Sequence, residues 1–267
     1  VPRNASMQDG DTWLGAPPLR LPAREQVAGF PEHLTFAPSP WRKAARGLVE
    51  AFRIAAPHAL VIATGYAIVL DAMPLAEEGR WAAVALDLAV GGMLFGMATF
   101  GFVALFKWLA VRRYGQRAAP MWTPFVWLSE AATNLYEGVA VPWFLRYLRG
   151  TPWLNDALKL LGADIGRGVF LDTTDMTEFD CVHIGAHSEL NALCCPQTHL
   201  FEDRVMKIDH VRIGSRVTLG PRCTVLYGAQ VGDGAQLGPL TLVMKGESLP
   251  AHTQWHGSPA APWQQPA

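Results

Sequence analysis

The chain has 267 residues, half of them apolar, and a formal net charge of −1 at pH 7. This length allows one large or two small domains, and the near-zero charge argues against a polyanion such as nucleic acid as a partner. The apolar fraction is unusual for a soluble protein and predicts a membrane part, while the four cysteines, which form no C-x-x-C pair, suit a reduced cytoplasmic setting.

Residues 1–30 carry a short motif that returns near the end of the chain. The motif reads W-x-G-[AS]-P at residues 13–17 and again at residues 255–259. A tandem protein would repeat a motif in this way, so we interpret residues 1–30 as the tail of a preceding repeat unit and a linker. Coincidence in a chain rich in Gly, Pro and Trp is the alternative. The first residue is Val1, which fits a piece of a longer protein.

Two apolar runs predict a transmembrane helical hairpin within residues 31–119. The first extends from about Leu48 to Met73 and the second from Trp81 to Val111, and each can cross a bilayer, which needs about 20 residues. Basic residues flank the outer ends, whereas Glu77 lies in the connection. The positive-inside rule then places both ends in the cytoplasm and the chain in the inner (plasma) membrane. Two buried helices of a globular core are the alternative, but core helices normally show a polar face.

Residues 120–160 are predicted to form an interfacial helical segment. This stretch is rich in Trp and Tyr but also carries Glu130, Asn134 and Glu137. Aromatic rings with one polar edge favour the headgroup region of a membrane. We expect the segment to lie along the interface and to lead the chain into the next domain on the cytoplasmic side.

A six-residue period identifies the domain that follows. Aliphatic residues occupy every sixth position and are usually followed by Gly: they are Ile213, Leu219, Val225, Val231, Leu237 and Val243. With small residues four positions later, this is the hexapeptide signature of a parallel β-helix, in which the aliphatic side chain points inward and the glycine permits the turn. Ile165 and Ile184 continue the pattern upstream in another phase, so the β-helix domain is predicted over residues 161–263.

Residues 194–209 interrupt this period with several charged side chains and one histidine. An insertion in a solenoid is expected as a loop from one edge of the stack, where such proteins carry binding surfaces. His199 can exchange a proton near neutral pH, and Glu202, Asp203 and Arg204 follow it closely. Alternatively, the charges are only solvated. A zinc site is a further alternative, for which the imidazoles available are His183, His187, His199 and His210, although their spacing matches no metal signature.

Several of these stretches resemble one known group of proteins. They are residues 148–154, 160–166, 177–180, 190–191, 197–207, 225–227 and 242–247, among which T-H-L-F-E-D-R-V-M-K at 198–207 is the most specific. Together they resemble the C-terminal region of ε-poly-L-lysine synthetase and related single-module non-ribosomal peptide synthetases. In that group, membrane helices alternate with three tandem acetyltransferase-like domains behind adenylation and carrier domains.

The resemblance implies a fold, partners and a reaction. The fold is a membrane α-helical hairpin plus a left-handed parallel β-helix of the hexapeptide-repeat acyltransferase type. The partners are the adenylation and carrier domains and neighbouring tandem copies, which would form a trimer or pseudo-trimer with sites between copies. The reaction joins an aminoacyl thioester, held on the 4'-phosphopantetheine arm of the carrier domain, to a free amine. No metal is expected.

Roles for individual residues follow from this hypothesis. His199 is expected to act as general base on the amine, Glu202 or Asp203 to hold its imidazole or bind an ammonium group, and Asn191 to donate to the developing oxyanion. The substrate-binding candidates are Arg204, Asp180, Glu178, Trp255 and Lys245. Two other functions stay open: a non-catalytic membrane scaffold that docks the carrier domain or lines an export path, and a stand-alone acetyltransferase that uses coenzyme A.

Overall fold

The computed structural model describes residues 12–14, 19–21 and 29–263. The first copy of the W-x-G-[AS]-P motif therefore lies partly outside the described residues, and the interpretation of residues 1–30 as the tail of another unit stays a prediction. The two short strands of this region are antiparallel to each other: β1 (Thr12–Leu14) and β2 (Leu19–Leu21).

Two long helices form an antiparallel pair, α1 (Pro40–Glu77) and α2 (Trp81–Ala110). Both are long and apolar enough to cross a membrane, and large apolar side chains are exposed along α1. The small-x-x-x-small spacing of Gly92 and Gly96 predicts close helix packing, which is found only in part. A Cβ added to Gly96 would lie 2.4 Å from the carbonyl oxygen of Trp143, whereas Gly92 has open space.

A layer of short elements connects the helical pair to the β-helix. Its members are β3 (Arg117–Pro120), α3 (Pro124–Leu135), a π-helical turn (Tyr136–Ala140), α4 (Val141–Trp143), a 3₁₀ turn (Leu145–Leu148) and α5 (Pro152–Leu160). Trp127 and Tyr136 are buried here, and the Tyr136 hydroxyl donates to the carbonyl of Thr174, 2.8 Å away. These aromatic side chains therefore pack between the two halves of the molecule.

The predicted parallel β-helix is confirmed by strand register. Ile213 pairs with Val231 and then Leu249, Leu219 pairs with Leu237, and Val225 pairs with Val243. Each partner therefore lies three hexads further along the chain, so that one coil has three faces. These aliphatic side chains are buried and form one continuous core.

The strands of the β-helix form three sheets. One contains β4 (Asp164–Ile165), β6 (Val182–Ile184), β11 (Val211–Ile213), β14 (Gln230–Val231) and β17 (Ser248–Leu249). The second contains β5 (Phe170–Leu171), β7 (Glu189–Leu190), β12 (Thr218–Leu219), β15 (Gln236–Leu237), β18 (Gln254–His256) and β19 (Ala261–Pro262). The third contains β8 (Cys195–Gln197), β13 (Thr224–Leu226) and β16 (Leu242–Val243).

The glycine after each aliphatic residue has a different role from the one expected. A Cβ on Gly185 would lie 2.4 Å from the backbone nitrogen of Ser215, and one on Gly232 would lie 2.5 Å from that of Ala251. Glycine is needed there because consecutive coils approach closely. The left-handed turn conformation instead falls three residues after the aliphatic position, at Arg216, Arg222, Gly228, Gly234, Leu240, Gly246 and His252.

The interruption forms a β-hairpin, not a free loop at the edge of the stack. Ile184 pairs with Ile213, so the coil between them is longer than the regular three hexads. The additional residues form β9 (His199–Glu202) and β10 (Val205–Ile208), and β10 also pairs antiparallel with β3. Because Met206 and Ile208 are buried against the helical layer, the hairpin joins the two halves of the chain.

Candidate active site

His199 lies at the start of the hairpin, where the β-helix meets the helical layer. Its ring contacts Phe201 edge-on with ring centroids 5.7 Å apart, and its carbonyl accepts a hydrogen bond of 2.8 Å from the Gln197 side chain. The side chain is 19% exposed. The imidazole is thus held at the floor of a cleft within one chain.

Glu178 holds the imidazole. One carboxylate oxygen, Oε2, lies 2.7 Å from His199 Nδ1 and also accepts hydrogen bonds from the hydroxyls of Thr177 (2.7 Å) and Thr198 (2.6 Å). The Glu178 side chain is fully buried, and its backbone has the left-handed conformation with φ 40°. A carboxylate on Nδ1 favours the tautomer in which Nδ1 carries the proton and Nε2 is free to accept one.

The environment of His199 favours the protonated ring. Burial alone would lower the pKa of His199, but the hydrogen bond and charge of Glu178, with the charges of Glu130 and Glu137, raise it above its ordinary value of 6.5. In the part of the chain that the structure describes, Nε2 has no hydrogen-bond partner. This nitrogen is therefore available to a bound molecule, and the imidazolium that forms when it takes a proton is stabilised.

Two cavities meet at His199. The smaller, of about 220 Å³, lies between the hairpin and the helical layer, and its wall includes Arg53, Glu130 and Glu178. The larger, of about 490 Å³, lies between the helical layer and the first coils of the β-helix, and its wall includes Asp175. Thr133, Glu137 and His199 line both. One imidazole can therefore face two substrates that approach from different sides.

The larger cavity is acidic. Burial, with the charges of Asp175 and Glu178, raises the pKa of Glu137, and burial raises the pKa of Asp175 although Arg149 opposes this. Neither carboxylate forms an ion pair among the described residues. Glu137 belongs to the π-helical turn, a distortion that is often found at functional sites. A cationic group entering this cavity would meet two carboxylates beside the imidazole.

Cys195 is the thiol nearest to this chemistry, since it also lines the larger cavity. Burial raises its pKa to about 12, and Asp175, Glu137 and Glu178 contribute in the same direction. A thiol with this pKa remains protonated near neutral pH and is a poor nucleophile. The arrangement accordingly favours proton transfer by His199 over covalent catalysis by Cys195.

Glu202 does not contact the imidazole. It lies at the end of β9 and is ion-paired with Lys207 (2.7 Å) and Lys245 (2.8 Å). Burial would raise the pKa of Glu202, but these two ammonium groups outweigh it and lower the pKa. The structure therefore places Glu202 and Lys245 in an ion-paired cluster between the hairpin and the turn after β16, and Glu178 is the residue that holds His199.

The other residues named from the sequence lie outside the two cavities. Asp203 and Arg204 form the hairpin turn, where the Arg204 guanidinium lies 5.4 Å from the Phe36 ring. The Asn191 amide donates to the carbonyl of Leu219 at 2.8 Å and so supports the coil, and it lines neither cavity.

Trp255 and Asp180 also have structural contacts. Trp255 packs against the core of the last coil, and its indole donates to the hydroxyl of Thr253 at 2.8 Å. Asp180 accepts from the Lys107 ammonium and from the backbone N–H of Tyr114. Of the residues named from the sequence as catalytic or substrate-binding, His199 and Glu178 are the two that the structure brings together at the cavities.

Two of the four histidines considered for zinc form a pair away from His199. His183 Nε2 lies 2.8 Å from His210 Nδ1, and His183 Nδ1 lies 3.2 Å from an Asp164 carboxylate oxygen. Within residues 29–263, no three His, Cys, Asp or Glu side chains are placed to hold a metal ion. In this contact one imidazole donates a hydrogen bond and the other accepts it. His183 Nε2 and His210 Nδ1 are therefore already used by each other and are not free to bind a metal ion.

The residues that sequence reasoning missed are Glu137, Asp175 and the partnership of Glu178 with His199. In a β-helix, a residue stacks on the residue one full coil earlier in the chain. The upstream coil, in which Ile165 pairs with Ile184, is close to three hexads in length. Counting back one coil from His199 would have led to the neighbourhood of Glu178. No comparable signal exists for Glu137, because its position depends on how the helical layer packs on the β-helix.

The fold and the site together define a class: hexapeptide-coil β-helix proteins joined to an apolar helical hairpin, with a glutamate–histidine pair in the cleft between them. Over 263 residues, 98% of its length, the chain is 53% identical to delta-poly-L-ornithine synthetase of Acinetobacter baumannii (strain AB307-0294). The chain spans 20% of that protein. This similarity confirms the predicted resemblance to the poly-amino-acid synthetases.

Solved structures with some likeness to this chain include acetyltransferases. A hexapeptide-repeat acetyltransferase from Vibrio cholerae O1 biovar eltor, in complex with acetyl coenzyme A, is 13% identical, covers 45% of this chain and 82% of its own, and has a TM-score of 0.36. Neisseria gonorrhoeae serine acetyltransferase is 14% identical, covers 77% of this chain and 96% of its own, and has a TM-score of 0.32. No family model matches the chain.

Proposed function

We propose that this chain is a peptide-bond-forming unit, which transfers an aminoacyl group from a carrier-bound thioester to a free amine. The observation that carries the proposal is the buried Glu178–His199 pair, whose free Nε2 lies where two cavities meet. The synthetase that the chain resembles over 98% of its length gives additional support. Carrier and adenylation domains are then the partners that supply the thioester.

The chemistry assigned to this chain is proton transfer. His199 Nε2 takes a proton from the attacking amine while the amine nitrogen bonds to the thioester carbonyl carbon, and Glu178 stabilises the imidazolium. The C–S bond then breaks, an amide remains, and the proton passes from the imidazolium to the departing thiolate. The thioester belongs to the 4'-phosphopantetheine arm of the carrier domain. General-base help of this kind contributes about 10² to 10⁴ in rate.

The larger cavity suits an acceptor that carries a positively charged amino group in addition to the attacking amine. Glu137 and Asp175 line it without ion-pair partners among the described residues, so an ammonium group bound there would neutralise them. An acceptor of this kind is a diamine-bearing amino acid or a chain that ends in one. The name of the similar synthetase, a poly-ornithine synthetase, agrees with this substrate class.

The location proposed for the unit is the cytoplasmic face of the inner membrane. Two apolar helices can anchor the chain in a bilayer, and basic residues such as Arg42 and Arg46 lie at the end that joins the β-helix. The connection between the helices carries Glu77 and Glu78. By the positive-inside rule the β-helix is cytoplasmic, where the carrier domain can reach it. Neighbouring copies are part of the proposal and assemble as a trimer or pseudo-trimer.

The proposal is tested by replacing His199 with Asn in the full-length protein. Peptide formation should be lost while adenylation and carrier loading continue, as followed by pyrophosphate exchange and by intact-protein mass spectrometry. His187→Asn is the matched control, because His187 is exposed and lies in a β-helix turn. Undiminished product from the His199 variant would favour the scaffold function. Turnover of free coenzyme A thioesters would favour a stand-alone acetyltransferase.

A further inference from the structure

A buried ion pair connects the second long helix to the β-helix. The Lys107 ammonium lies 2.7 Å from Asp180 Oδ2, and the same oxygen accepts the backbone N–H of Tyr114 at 3.1 Å. Lys107 is only 1% exposed, and its ammonium lies 3.5 Å from the centre of the Trp108 ring. The C-terminal end of α2 is thus attached to the first coils of the β-helix by the ion pair between Lys107 and Asp180.

This point of attachment is close to the residue that holds the imidazole. Asp180 follows Glu178 by two positions, inside the 3₁₀ turn Phe179–Cys181. The N–H of Cys181 donates to the Glu178 carbonyl at 2.8 Å, which ties the turn to Glu178. Glu178 has φ 40°, a conformation that costs free energy for a residue other than Gly and persists only where surrounding contacts enforce it.

We infer that Lys107 and Asp180 are a positioning pair, which fixes the turn after Glu178 and thereby holds the Glu178 carboxylate against His199. The helical hairpin then belongs to the site and does more than anchor it. The reaction at His199 is taken from the proposed function, on which this inference rests. The geometric part, that Lys107 controls the Glu178–His199 contact, can be measured without any substrate.

The effect of replacing Lys107 can be measured from the titration of His199. The charged groups that face the imidazole are Glu178, Glu130 and Glu137, with Arg53 and Asp175 also on the cavity walls. Lys107 is bound to Asp180 and lines neither cavity. Loss of the Lys107 positive charge would by itself raise the pKa of a nearby imidazole, so a fall of the His199 midpoint in a folded Lys107 variant reports a weakened contact with Glu178.

The experiment measures the reaction of His199 with diethyl pyrocarbonate as a function of pH, by peptide mass spectrometry on the full-length protein in detergent. Only the neutral imidazole reacts, so the midpoint reports the protonation of His199. In Lys107→Met the midpoint should fall toward 6.5, the ordinary value. Peptide formation should decrease by roughly 10- to 100-fold, as for a misplaced catalytic group. Lys107→Arg should restore both.

Lys159→Met is the control, because Lys159 forms an exposed ion pair with Asp156 and should change neither quantity. An unchanged midpoint in folded Lys107→Met would overturn the inference. If that variant does not fold, Asp180→Asn takes its place, since Asn keeps an acceptor for the Tyr114 N–H. If wild type makes no peptide, the proposed function fails, while the midpoints still decide whether Lys107 positions Glu178.

Discussion

The coils after Val211 and the coil around Glu178 and His199 are built from the same repeat but differ in how well their polar groups are satisfied. Within residues 29–263, every buried side-chain nitrogen or oxygen without a hydrogen-bond partner belongs to a residue before Val211, and Glu178 Oε1 is among them. The regular coils instead contain many hydrogen bonds from a backbone N–H of one coil to a carbonyl oxygen of the next. The carboxylate of Glu178, with one unpartnered oxygen, thus lies beside the insertion that interrupts the repeat.

The largest expected effect comes from Glu178, where the irregular coil meets the imidazole. Glu178→Gln removes the charge that stabilises imidazolium, so peptide formation should fall by about 10² to 10⁴. The pKa of His199 should fall as well, which moves the rise of the rate with pH to lower pH. Steady-state rates across pH test both. Glu189→Gln, at an exposed position in β7 and outside both cavities, is the control and should leave the profile as in wild type.

A change in the regular coils should affect stability and not chemistry. Leu219 is fully buried, and Leu219→Ala should lower the free energy of unfolding by about 2 to 5 kcal/mol through lost contacts and a cavity. The folded variant should keep the pH profile of wild type. Denaturant unfolding of the detergent-solubilised protein measures the first quantity. An altered profile would show that the two regions are not separable.

Glu137 sharpens the comparison by testing whether the larger cavity binds a cationic acceptor. Glu137→Gln preserves size but removes one of two carboxylates, so KM for a cationic acceptor should rise by about 10-fold, close to 1.4 kcal/mol, while kcat changes little. A neutral acceptor of the same length is the internal comparison and should be unaffected. Equal loss for both acceptors would mean that Glu137 supports the fold of the π-helical turn and does not bind substrate.

The smallest effects should appear in the dependence of stability on pH, with opposite signs at two histidines. The pKa of His199 is raised in the folded state, so protonated His199 stabilises the fold. This contribution is fully present below pH 6.5, the ordinary pKa of the unfolded chain, and is lost as pH rises through the folded pKa. Burial, with His183 and Arg212, lowers the pKa of His210, so stability is lost as pH falls below 6.5. In a plot of the free energy of unfolding against pH, His199→Asn should reduce the slope only above pH 6.5, and His210→Asn should reduce it only below pH 6.5. Each pKa unit corresponds to about 1.4 kcal/mol.

Sequence reasoning found the regular parts of this molecule because their physics is local. The positions of Ile213 to Val243 repeat at every sixth residue, and the helices are recognisable from their apolar length. His199 is predicted to be a proton-transfer group from its side-chain chemistry alone. Nearness in sequence favours Glu202 or Asp203 as the partner of His199. In the structure two lysines are ion-paired with Glu202, and the carboxylate of Glu178, one coil earlier in the chain, lies against the imidazole.

The pairing of the hairpin with β3 could not be predicted for a related reason. Strand β3 lies far from the hairpin along the chain, and its register depends on how the helical layer docks. Such contacts between distant segments leave no periodic signal in the sequence. The same holds for Lys107. From the sequence it is only a charged residue near the end of an apolar helix, and its ion pair with the distant Asp180 is seen only in the structure.

Chemical rescue tests the central claim most directly, because it separates proton transfer by His199 from any structural role of its side chain. In His199→Gly, the ring is removed and its space beside Glu178 is opened. Added imidazole should restore peptide formation in the full-length protein, and substituted imidazoles of higher pKa should restore it more strongly. A variant that stays inactive at every imidazole concentration, although folded and loaded with aminoacyl thioester, would contradict the account.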